Sequence, residues 1–125
     1  MRERLKTFEE VREARGIVLL REWLSEEQRR QYDTSKSFEV LGSASRKRYR
    51  IVHGIGTNIH ELSDDGEPII GLCFVPSGGL VAGDVMLAQK IALETNEPAA
   101  LAVANKFPIR DRDRAMPPPL PRRAY

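Results

Sequence analysis

A single cysteine, Cys73, and two histidines, His53 and His60, leave little from which to build a disulfide or a closed metal centre. Zinc sites announce themselves by paired Cys or His at short fixed spacings, and these three groups fall at irregular intervals. Aromatic residues are 6% of the chain and Trp23 is the one tryptophan, so aliphatic side chains must supply most of any core. Long apolar runs are also missing. The first of them, Ile17 to Leu20, is far too short for a signal h-region or a membrane span, and a cytoplasmic location is the expectation.

Patterns for chemistry are equally sparse. Gly78 and Gly83 have the outer spacing of a phosphate loop, but Asp84 and Val85 follow where Lys and Ser or Thr are required. Gly54-Ile55-Gly56 precedes no helical pattern and reads as a turn. Of the carboxylates Glu61, Asp64, Asp65 and Asp84, two suit a hairpin turn and one a helix start. Ser43, Ser45 and Ser77 lack the sharp strand-to-helix context of an activated nucleophile. The expectation is a non-enzymatic protein with no catalytic residue, no metal and no cofactor.

What is present is one domain's worth of chain. With 125 residues there is enough for one modest core. The net charge of +2 is unevenly spread: nine basic and nine acidic groups balance over the first 45 residues, and one basic faces seven acidic over 57 to 105. The positive excess lies in Arg46, Lys47, Arg48 and Arg50, and in the Pro- and Arg-rich stretch after Phe107.

The region from Tyr49 to Val75 alternates short apolar runs and breaks at Asp64-Asp65-Gly66, which predicts a β-hairpin. Strands are expected at Phe38 to Val40, Tyr49 to Val52, Asn58 to Leu62 and Pro68 to Val75, the last being central because it is apolar on both faces. Before them, residues 1 to 16 predict a charged, marginal helix carrying Leu5, Phe8 and Val11, interrupted at Gly16. A better helix follows from Ile17 to Leu24, and Ser25-Glu26-Glu27-Gln28 predicts a capping box that starts another, ending near Tyr32. After Gly83, Asp84 reads as the N-cap of an apolar helix in which Lys90, Glu94 and Glu97 form the polar ribbon, and Pro98 suits the first turn of a last helix. The stretch 108 to 125 has no periodic apolar face and reads as a tail.

These elements imply an α+β domain over 17 to 107, a small antiparallel sheet of about four strands flanked by N-terminal and C-terminal helices. Its core should join Trp23 and Leu24 to Phe38, Ile51, Leu72, Phe74, Leu87 and Ile91. Two surfaces are candidates for function. Arg46, Lys47, Arg48 and Arg50 around Tyr49 could bind phosphates and stack a base, or simply protect a sheet edge. Met86, Lys90 and Leu93 mark the long helix as a protein-binding surface.

Taken together, Leu19 to Gln28, Arg48-Tyr49-Arg50-Ile51, Leu72 to Pro76 and Gly83 to Lys90 resemble a family of short uncharacterised proteins found in bacteria and some of their phages. The resemblance spans roughly Leu19 to Asn105 and implies a recurring domain, phage- or mobile-element-associated, with no activity to carry over. The resulting expectation is an accessory protein-interaction module with an unnamed protein partner. Nucleic-acid binding through the basic strand is the alternative.

Overall fold

The structure, a computed structural model, describes residues 7–75 and 80–109. Its elements run in the order α1 (Phe8–Trp23), α2 (Glu26–Ser35), β1 (Ser37–Leu41), β2 (Arg48–Val52), β3 (Ile59–Leu62), β4 (Pro68–Cys73), α3 (Ala82–Val103) and β5 (Asn105–Phe107). The strands form one antiparallel sheet in the order β1-β2-β3-β4-β5. The α+β class is as expected, with five strands rather than four. The fifth is three residues long and centred on Lys106, too short and too polar to stand out as a strand. It pairs antiparallel with β4, and Phe107 lays its ring across Gly71.

The hairpin between β3 and β4 forms where the Asp-Asp-Gly break foretells it. The Gly66 N–H donates to the Ser63 carbonyl at 2.9 Å, the Ser63 N–H to Glu67 at 2.8 Å, and Gly66 takes the left-handed conformation (φ 84°) that closes such a turn. Pro68 opens β4, where its missing N–H costs least, and β4 lies inside the sheet as expected. The basic segment does not protect an edge: β2 is flanked by β1 and β3. At the true edge, the backbone N–H of Glu39 in β1 donates to Gln31 Oε1 and its carbonyl accepts from Gln28 Nε2, both at 2.9 Å. Two glutamines of α2 thus take the place of a neighbouring strand.

Gly16 does not break α1. The helix passes through it because Gly16 is where α1 meets α3: a Cβ built on Gly83 would lie 2.2 Å from the backbone carbon and oxygen of Gly16. Further along, Gln28 at the start of α2 reaches Glu94 of α3 at 2.9 Å. The capping box at Ser25 forms, with reciprocal bonds between Ser25 and Gln28 at 3.0 and 3.1 Å. Helix α2 extends past Tyr32 to Ser35 and ends on Lys36 in the left-handed region (φ 59°). Arg29 donates to the carbonyls of Arg21 at 3.0 Å and Leu24 at 3.3 Å, stapling the elbow between α1 and α2. The N-cap of α3 is Val81, and Asp84 stands in the first turn instead.

The core joins Leu20, Leu24, Tyr32, Phe38, Val40, Tyr49, Ile51, Ile59, Leu72, Met86 and Leu93. Phe74 and Leu87 pack against it half-buried. Trp23 and Ile91 do not belong to it: Trp23 is 61% exposed and Ile91 44%. The docking point at Gly16 rotates Leu20 and Leu24 inward and leaves Trp23 at the rim. The expected tail begins just after β5, and residues 110–125 lie outside the described ones.

Two substitutions test this packing. Gly83→Ala should gain about 1 kcal/mol of helix propensity yet lose about 2–4 kcal/mol net, because the methyl would meet backbone that cannot rotate away. Trp23→Ala should cost less than about 1 kcal/mol. Both are read from denaturant unfolding midpoints.

Candidate functional site

Strand β2 presents its side chains alternately to two faces, and that alternation disperses the basic segment. Tyr49 points into the core and is fully buried, so it offers no ring to a base. Arg48 and Arg50 point to the other face, where Glu39 sits across from Arg50 in β1. Arg48 Nε donates to Glu39 Oε1 at 2.9 Å, and Arg50 Nη2 lies 3.9 Å from Glu39 Oε2. Lys47 approaches Glu61 at 3.6 Å. Arg46 occupies the loop before β2 with φ 62° and is exposed. The five residues do not converge on one surface.

The residues proposed on α3 divide in the same way. Met86 and Leu93 are fully buried in the core and present nothing to a partner. They face the sheet because α3 lies along it, and the long apolar pattern marked the centre of the core. Lys90 is largely buried and paired with Glu94, which also accepts from Gln28 at 2.9 Å.

Glu97, expected on the polar ribbon, is 1% exposed and lies at the centre of the largest polar cluster. Its carboxylate accepts from the Ala44 N–H (3.0 Å), the Ser45 N–H (2.7 Å), Ser45 Oγ (2.6 Å) and Tyr49 Oη (2.5 Å). A Cβ on Gly42 would fall 2.3 Å from the same carboxylate, so the strand end must be bare there. The chain reaches this position because α3 kinks at Asn96 (φ −152°, ψ 62°). Pro98, in the first turn past the kink, lacks an N–H that would have no helical partner, and the Glu97 N–H donates to Ser43 Oγ at 2.9 Å. One side chain therefore ties the β1–β2 loop, strand β2 and both halves of α3.

Burial alone would raise the Glu97 carboxyl, but the bonds from Ser45, Tyr49 and Ala44 overcome it and hold the group down at about 2. Tyr49 is pushed above its ordinary range by burial and by Glu97. A carboxylate so enclosed is an anchor, and a phenol so raised is a donor, not a nucleophile. A second buried pair, Asn58 and Gln89, exchanges two amide bonds at 2.9 Å each. Cys73 Sγ accepts from the Thr57 N–H at 3.3 Å, and His53 Nδ1 lies 2.9 Å from Tyr32 Oη. Among the described residues no group of three His, Cys, Asp or Glu side chains could hold a metal ion.

Among the described residues, α1 carries several exposed apolar side chains: Val18 (58% exposed) and the half-buried Val11 lie opposite its buried Gly16 and Leu20, Phe8 (78%) and Leu19 (41%) lie on one flank of that stripe, and Trp23 stands at the helix end nearer the Gly16 side. Arg15 and Glu22 are set among them. Splitting the helix at Gly16 hid this stripe. The signal was the seven-residue spacing of Val11 and Val18, visible only when the helix is read as continuous.

Glu97 carries a pH dependence. Because its carboxyl is lower in the folded chain than its ordinary value of 4.5, its contribution is complete above about pH 5 and is lost as pH falls toward about 2. Glu97→Gln should cost about 2–4 kcal/mol at pH 7, since its amide would turn donors toward donors. Unfolding free energies across this range should show the gap between wild type and variant narrowing toward pH 2.

No protein family, curated protein or solved structure matches this chain.

Proposed function

We propose that this protein is a non-enzymatic interaction module that docks another protein on the outward face of α1. The observation that carries this reading is the exposure of Phe8, Val18 and Leu19 along one helix whose other side, at Gly16 and Leu20, is packed on the domain. A lone exposed leucine needs no explanation, but several exposed apolar side chains on one helix with an Arg and a Glu set among them are the mark of a contact surface. A helix held rigidly against α3 also binds without the entropy loss of ordering a free segment. Two features hold the helix rigid: the Gly16 to Gly83 contact, and the elbow stapled by Arg29 and by the Arg21 to Asp33 pair at 2.7 Å.

Nucleic-acid binding through the basic segment has less support. Glu39 and Glu61 set opposing charge beside three of its four cations, and the ring that would stack is enclosed. An association of the counterion-release kind needs several cations free to meet phosphates. Retention on single-stranded and duplex nucleic acid at low salt would revive that reading, and its absence removes it.

The docking reading is tested by placing a photo-crosslinking side chain at Val18, with Asp65 at the exposed hairpin tip as control. Irradiation of the full chain in its host cell should give a discrete adduct from position 18 and none from position 65. A pattern equal at both positions, or no adduct at 18, would sink it.

A further inference from the structure

We infer that the partner of α1 is a second α1: two copies of this chain pair antiparallel about a two-fold axis that passes between Val18 and Leu19. The inference rests on the docking reading above and names its partner.

A two-fold contact must be complementary to itself, since residue i meets j on one side and j meets i on the other. The stripe on α1 satisfies this in one register. With the axis between Val18 and Leu19, Val18 faces the partner's Leu19 and the apolar centre closes on itself. One turn to either side, Arg15 faces the partner's Glu22 and Glu22 the partner's Arg15. Arg12 and Arg21 are compensated within their own chain, by Glu9 at 2.8 Å and Asp33 at 2.7 Å. Arg15 and Glu22 form no ion pair among the described residues and are free to make these.

Two alternative arrangements fail on charge. Parallel pairing would set Arg15 on Arg15 and Glu22 on Glu22, and moving the axis to Arg15 would bring that residue onto its own copy. Two short helices make a small contact, so the pair should be a weak dimer in rapid exchange.

The test is sedimentation equilibrium of the full chain at concentrations up to about 1 mM, with folding checked by circular dichroism. Wild type should show a monomer–dimer equilibrium. Arg15→Glu or Glu22→Arg alone should weaken it by about tenfold, because each places like charges together twice by symmetry, and added salt should narrow that difference. The double variant Arg15→Glu/Glu22→Arg should recover wild-type dimerisation, and an equimolar mixture of the two single variants should form a mixed dimer tighter than either alone. A wild type that stays monomeric throughout overturns the inference, as does a dimer indifferent to all three variants. Adducts from Val18 to a different protein, with the chain itself monomeric, would leave the docking reading standing and refute self-pairing.

Discussion

The contact between Gly16 and Gly83 fixes the rotation of α1, and most of what the molecule presents to its surroundings follows from that rotation. Helices whose backbones touch cannot roll over one another, as helices spaced by flexible side chains can. With Gly16 turned inward, Leu20 and Leu24 must follow it into the core at four-residue intervals. Val11 and Val18 are carried to the opposite side by the same geometry, and Phe8 to its flank. The exposed stripe is thus a consequence of two missing side chains, and its apolar character is not needed for any packing within the domain.

The second constraint is electrostatic. A buried carboxylate usually survives beside a cation, yet Glu97 is surrounded by neutral donors supplied by one loop and one tyrosine. Its ionisation is stabilised by oriented dipoles. The same residue sits at the kink of α3, where Ser43 meets its freed N–H. The break in the helix and the burial of the charge are one arrangement seen from two sides, since a straight helix would carry position 97 along a different path.

Much of the fold was legible because it rests on local chemistry. The Asp-Asp-Gly hairpin, the Ser25 capping box, Pro68 at a strand start and Pro98 in a first turn each follow from the residue types at those positions. What escaped depends on contacts distant in sequence. Gly16 looks like a breaker until Gly83 is beside it, and Glu97 looks solvated until the Ser43 to Ser45 loop folds over it. Trp23 and Ile91 carry core-type side chains, but which side of a helix end is covered depends on the neighbour's position. One local signal was passed over: Thr7-Phe8-Glu9-Glu10 has the capping-box spacing and caps α1 with bonds of 3.1 Å. The candidate surface was less legible than the fold, because exposure is a property of the whole assembly of elements.

The plugging of β1 by Gln28 and Gln31 reaches beyond the single molecule. A sheet with two open borders can add strands without limit, which is how ordered fibres grow. Here the Glu39 N–H and carbonyl on the β1 border are already taken by side-chain amides, so a strand arriving there would find those two bonds filled. The helix elbow that places those glutamines therefore disfavours growth of the sheet across β1.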